Sequence, residues 1–144
     1  MVEKLSEVPN IRYIKDATGR TGRILSLLNR IGDRMRVFSA SAHIPVIVFQ
    51  LGGVGWMAGP ACVIPEQSVR LYELAQEGEW KAAFALQRSM WTMNELFHKY
   101  SLAACIKVAL QIQGFDVGDP IKPQQPLGHA AVQEIAVALQ ALEP

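Results

Sequence analysis

The chain has 144 residues, half of them hydrophobic, with a formal net charge of +1. That length suits one ordinary domain, and the hydrophobic fraction allows a real core. Lys and Arg are interspersed with Asp and Glu, which excludes a nucleic-acid footprint and an acidic tail. The two cysteines, Cys62 and Cys105, lie far apart in apolar surroundings. They read as buried free thiols of a cytoplasmic protein, not as a disulfide framework or a zinc site. The start, Met1 to Leu5, has no apolar secretory core.

Val2 to Val8 reads as a short helix end closed by Pro9, and Ile11 to Lys15 as a strand. Thr18-Gly19 opens a helix over Thr21 to Ile31, with Ile24, Leu27, Leu28 and Ile31 on one face. Gly32-Asp33 ends it, and Met35 to Ser39 forms a second strand. No charged residue occurs from Ile44 to Ile64, a length that would span a bilayer. Gly52-Gly53 in mid-run, with Pro45 and Pro60, instead divides it into buried elements, so no membrane span is expected. These are a helix over His43 to Leu51 and a third strand over Gly55 to Ala58. A third helix follows from Pro65 to about Gln76, with the proline at a first-turn position.

Strands joined by crossover helices are parallel, so the pattern predicts an α/β fold with a three-stranded parallel sheet. No strand signal follows Gly78. Glu79 to about Lys99 is expected as one helix, on the spacing of Trp80, Ala83, Phe84, Gln87, Met90, Trp91 and Phe97. A helix over Leu102 to Gln113, a proline-bearing loop over Gly114 to Leu127 and a helix over Ala130 to Leu142 complete the chain.

In parallel α/β sheets the reactive groups sit at the carboxyl ends of strands. Lys15 holds that position, with Ile11, Tyr13 and Lys15 alternating onto one face. A neutral amine there forms an imine with a ketone. An unperturbed lysine has a pKa of about 10.4, so burial or a cationic neighbour must lower it. On the residues alone a single lysine is a weak signal, and a solvated surface lysine at a strand terminus is the commoner reading. Thr18-Gly19-Arg20-Thr21-Gly22-Arg23 suggests either a phosphate cradle or a helix start capped by Thr18, and it lacks the lysine and spacing of a nucleotide loop. Gly52-Gly53-Val54-Gly55 precedes its strand, the wrong order for a dinucleotide fingerprint. His43 follows the second strand and serves either as a helix-start residue or as a substrate contact. His98 and His129 have no metal-ligand spacing, and no metal site is expected.

Tyr13-Ile14-Lys15-Asp16-Ala17-Thr18-Gly19 resembles the segment around the Schiff-base lysine of the dihydrodipicolinate synthase and N-acetylneuraminate lyase family. Val37-Phe38-Ser39-Ala40-Ser41 and Leu51-Gly52-Gly53-Val54-Gly55-Trp56-Met57-Ala58 follow at the family's intervals, and the Gly118-Asp119-Pro120 loop resembles its C-terminal appendage. The resemblance covers essentially the whole chain. It implies the last three βα units of a (β/α)8 TIM barrel over residues 1–78 and a helical appendage over 79–144.

It also implies Lys15 as the catalytic nucleophile, with Ala40, Ser41, Met57 and Gly59 lining the pocket. The substrate would be pyruvate or a longer 2-oxo acid, with no cofactor, in a homo-oligomer. A closed barrel needs about 250 residues. The resemblance begins at the sixth strand, so the family's threonine-rich loop and proton-relaying tyrosine have no counterpart here. Ser101-Leu102-Ala103-Ala104-Cys105-Ile106-Lys107 stands where lysine-making members carry Asn-Pro-x-Pro, and Tyr13 stands in place of a common glycine. These departures point to a 2-keto-3-deoxy sugar acid dehydratase or aldolase, or a similar 2-oxo acid enzyme. The alternative from another class is a non-catalytic fragment or interaction module.

Overall fold

The computed structural model describes residues 1–40 and 44–142. A short helix α1 (Val2–Leu5) leads to strand β1 (Tyr13–Asp16), helix α2 (Thr21–Ile31), strand β2 (Arg36–Ala40), helix α3 (Pro45–Gln50) and strand β3 (Gly55–Met57). Five helices follow: α4 (Pro65–Gln76), α5 (Trp80–Ser89), α6 (Trp91–Lys99), α7 (Leu102–Ile112) and α8 (His129–Gln140). The sheet order is β1-β2-β3, and both pairings are parallel. The expected α/β architecture with a helical C-terminal region is present. Among the described residues, no helix is long and apolar enough to cross a membrane.

Two apolar clusters hold these elements. Ile24 and Ile31 of α2 pack with Met35, Val37 and Val48, joining the sheet to α2 and α3. The larger cluster runs from Val46 through Leu71 of α4 to Met93, Cys105 and Ile135, so α3 and α4 share a core with α5 to α8. Lys99 and Glu134 clip α6 to α8 at 2.8 Å on the surface.

Several expectations need correction. The strand expected from Ile11 begins at Tyr13, because the ladder pairs Tyr13 with Arg36 as its first rung. Ile11 instead turns back, its N–H donating to the Val8 carbonyl, and packs against the smaller cluster. The single helix expected over Glu79 to Lys99 is two, divided at Met90. There the Ser89 hydroxyl donates to the Leu86 carbonyl at 2.8 Å, competing with the helical ladder. Met90 is then fully buried at the junction. Cys62 is exposed, and only Cys105 is buried. Cys62 ends a 3-10 turn (Pro60–Cys62) that carries the chain off the rim of β3, whereas Cys105 faces the bundle core from α7.

The turn into β3 depends on glycine. Gly52 has φ of 101°, which favours a residue without Cβ. Gly53 passes so close to α3 that a Cβ would lie 2.6 Å from Val48 Cγ1 and 2.8 Å from the Val48 carbonyl oxygen.

Candidate active site

Alternation along the parallel ladder sorts the sheet residues onto two faces. Ile14, Asp16, Val37, Ser39 and Trp56 face the helices and are buried or half-buried. Tyr13, Lys15, Arg36, Phe38, Ala40, Gly55 and Met57 share the other face, on which Tyr13, Lys15, Arg36 and Met57 are exposed. Lys15 pairs in register with Phe38, and Phe38 with Gly55. One rung toward the carboxyl ends, Ala40 pairs with Met57. The structure therefore brings Lys15, Ala40 and Met57 onto one face at adjacent levels, with Gly59 two residues beyond Met57. Ser41 and His43 lie outside the described residues.

Phe38, which the sequence reading did not single out, sits beside Lys15. Its ring lies 5.9 Å from the Tyr13 ring, edge to face. It also covers Gly55 so closely that a Cβ there would sit 2.2 Å from Phe38 Cε1. The signal was in the sequence, as a large aromatic on one strand level with a glycine on the next, but it becomes readable only once the register is known.

Lys15 is aimed by the segment that follows it. Asp16 points the opposite way and is 5% exposed. Its carboxylate accepts the Thr18 N–H at 2.9 Å, the Thr18 hydroxyl at 2.6 Å and Arg23 Nε at 3.1 Å. Burial pushes the Asp16 pKa up, but these donors and the Arg23 charge outweigh it and hold the carboxyl below its ordinary value. Thr18 was expected to cap α2. It anchors the turn to Asp16 instead, and the N-cap of α2 is Arg20, with no side-chain cap. Thr18 stands two residues before that N-cap, so its hydroxyl accepts the Arg20 N–H at 3.4 Å while donating to the buried Asp16 carboxylate.

The other chemical candidates lie elsewhere. The His98 imidazole Nδ1–H donates to the Asn94 carbonyl within α6 at 2.7 Å. Among the described residues, no group of three or more His, Cys, Asp or Glu side chains is gathered that would hold a metal ion. A groove of about 810 Å3 runs between the end of α7, α8 and the start of α4, lined by Cys62, Ile64, Leu110, Phe115 and Leu139 among others. None of Lys15, Ala40, Met57 or Gly59 lines it.

A short parallel sheet with helices on one face and a lysine near the carboxyl end of its first strand on the other is a sector of a βα barrel. The chain belongs to the dihydrodipicolinate synthetase family, whose model matches residues 1–142. It is 26% identical over 141 residues to a 4-hydroxy-tetrahydrodipicolinate synthase of Prochlorococcus marinus (strain AS9601), covering 98% of this chain and 47% of that protein. A second relative of the same name, from Archaeoglobus fulgidus, is 26% identical over 143 residues, covering 99% of this chain and 50% of its own length. The solved dihydrodipicolinate synthase of Bacillus anthracis superposes with a TM-score of 0.91 at 25% identity, over 99% of this chain and 49% of that one. The chain thus spans about half the length of the relatives it matches.

Proposed function

We propose that Lys15 is the nucleophile of a Schiff-base lyase or aldolase acting on pyruvate or a longer 2-oxo acid. The observation that carries this reading is the placement of Lys15 on the open face of β1, level with Phe38 and Gly55 and one rung below Ala40 and Met57. The family membership and the name shared by the two relatives support the same reaction class.

The neutral Nζ attacks the 2-keto carbon, and loss of water leaves an iminium ion. That cation is an electron sink, so a proton leaves the adjacent carbon to give an enamine. The enamine carbon adds to an aldehyde to form a carbon–carbon bond, and the reverse cleavage or a β-elimination uses the same intermediate. Ala40, Ser41, Met57 and Gly59 line the substrate's path. Residues 1–78 form the barrel portion and 79–144 the appendage, in a homo-oligomer. The departures at Tyr13 and at residues 101–107 favour a 2-oxo acid other than the lysine-pathway substrate.

Lys15 is exposed here. The strands that close a barrel over this face would take the amine out of water, where the neutral form is favoured. Borohydride added with pyruvate should therefore trap a secondary amine at Lys15, located by peptide mass mapping. Trapping should be slower than in a relative of full length, and Lys15→Ala should abolish it. Equal labelling of all the lysines would refute the assignment. A second reading, a non-catalytic interaction module, is favoured by the same open face with Tyr13 and Met57 exposed.

A further inference from the structure

Buried residues of α5 and α6 fall on one seam, Ala83, Gln87, Met90, Asn94 and Phe97, at alternating intervals of four and three residues. Ala83, Met90 and Phe97 belong to the larger apolar cluster, and the other two are amides. Gln87 is 3% exposed and Asn94 1%. Gln87 Oε1, Gln87 Nε2 and Asn94 Nδ2 are all buried, and none has a protein partner among the described residues. Exchanging the two ends of the Gln87 amide changes nothing, since both ends are unpaired. Both side chains are enclosed by the chain's own core, so a partner docking on the surface reaches neither.

An amide group that leaves bulk water and finds no hydrogen bond carries its full desolvation penalty, and each end counts separately. The three atoms make a complementary set: Asn94 Nδ2 and Gln87 Nε2 donate, and Gln87 Oε1 accepts. A ligand serving both kinds must donate and accept at once, and be small enough for a close-packed core. It must also be neutral. The buried members of the surrounding cluster carry no charge, so an ion would enter without a counter-charge. Water meets all of these conditions. The position fits as well. Met90, where α5 ends and α6 begins without a side-chain cap, stands between the two amides. Water inserted into the hydrogen-bond ladder is a recognised cause of such breaks.

We infer that the α5–α6 seam is a binding site for internal water, held between the Gln87 and Asn94 side chains beside Met90. Water there accepts from Asn94 Nδ2 and Gln87 Nε2 and donates to Gln87 Oε1. The core of the C-terminal helices is thus keyed by a wet contact. This site is independent of the role of Lys15.

The test uses the full 144-residue chain, isotopically labelled in nitrogen. In magnetic resonance spectra the NH2 protons of Gln87 and Asn94 should show direct cross-relaxation with water, of the sign that marks a bound molecule. In Gln87→Met the water cross-peak at Asn94 should vanish. Urea midpoints of Gln87→Met, Asn94→Leu and the double variant read the same site by energy. Positions seven residues apart on a helix lie about 10 Å apart along its axis, a separation at which effects normally add. A shared water couples them, because either substitution alone already breaks the bridge. The double variant should therefore fall short of the summed single shifts by about 0.5 M. No water cross-peak at either amide, or shifts that add within about 0.2 M, would overturn the site. If Asn94→Leu does not fold, the cross-peaks of the parent and of Gln87→Met decide alone.

Discussion

Replacing Gly53 by alanine should damage this fold more than replacing Gly55, although the contacts at Gly55 are shorter. A Cβ at Gly55 would meet Phe38 Cε1 at 2.2 Å and Cδ1 at 2.6 Å. Both atoms belong to a side chain on the open face, and a rotation about χ1 carries the ring toward solvent. The cost is the lost contact with Tyr13 and a less favourable rotamer, about 1 kcal/mol. A Cβ at Gly53 would meet Val48 Cγ1 at 2.6 Å, the Val48 carbonyl oxygen at 2.8 Å and the Val37 carbonyl oxygen at 3.3 Å. Two of these are backbone atoms already engaged. The Gly53 N–H donates to the Val48 carbonyl at 2.8 Å, and the Val54 N–H donates to the Val37 carbonyl at 2.9 Å. Relief requires moving the turn away from α3, which strains or breaks one or both hydrogen bonds at about 1 kcal/mol each. Overpacking against the fully buried Val48 adds about 1–2 kcal/mol. The total for Gly53→Ala is about 2–4 kcal/mol. Urea unfolding followed by circular dichroism reads it as a midpoint lowered by about 1–2 M, at an m-value of about 2 kcal/mol per M. Gly55→Ala should shift the midpoint by about 0.5 M. If Gly53→Ala lay within 0.5 M of the parent chain, or if Gly55→Ala proved the worse, the distinction between rigid and yielding obstacles would be wrong.

Asp16→Asn should cost about 1–3 kcal/mol, since it weakens charge-assisted bonds from Thr18 and Arg23 to a buried carboxylate. Because the folded-state pKa of Asp16 is depressed, its contribution is fully present above the unfolded value of about 3.9 and is lost as pH falls through the folded pKa. Urea midpoints measured downward from pH 6 should therefore fall more steeply below pH 4 in the parent than in Asp16→Asn; parallel profiles would contradict the assignment. Native chain should react with one equivalent of a thiol reagent at Cys62, while Cys105 reacts only after unfolding, because it is fully buried and burial pushes its thiol pKa up. Fast reaction of two equivalents under native conditions would refute its placement. Tyr13 at 63% exposure and Met57 at 55% leave an apolar sheet face in solvent. The isolated chain should associate with concentration and bind a hydrophobic dye, and Met57→Lys should weaken both, as read by sedimentation and fluorescence. A dye-silent monomer would count against it.

The most legible parts of this chain were those governed by local rules. The helices Thr21–Ile31 and Pro65–Gln76 fall where the periodicity and punctuation placed them. A helix closes its own hydrogen bonds, so spacing, a first-turn proline and a terminal glycine suffice to bound it. The strands were found but displaced, because a strand ends where its neighbour stops pairing. Met35–Ser39 became Arg36–Ala40 once the ladder with β1 and β3 was formed. The break at Met90, where the Ser89 hydroxyl turns back to the Leu86 carbonyl and Met90 is buried, is one that a single helical stripe does not encode.

The sequence by itself determined the order of parallel strand and helix, the position of Lys15 near a strand's carboxyl end, and the glycines that the turn into β3 requires. Each follows from period, chain direction or the absence of a Cβ, all of which are properties of neighbouring residues. Tertiary structure alone decided which residues stand around that lysine. Phe38 and Gly55 reach its level through interstrand register, a relation between segments about twenty residues apart. It also decided that Cys62 is exposed while Cys105 is buried, since the same apolar neighbourhood in sequence is turned outward by one short 3-10 turn and inward by one helix. Burial is fixed by what packs from across the fold, and no local pattern specifies that partner.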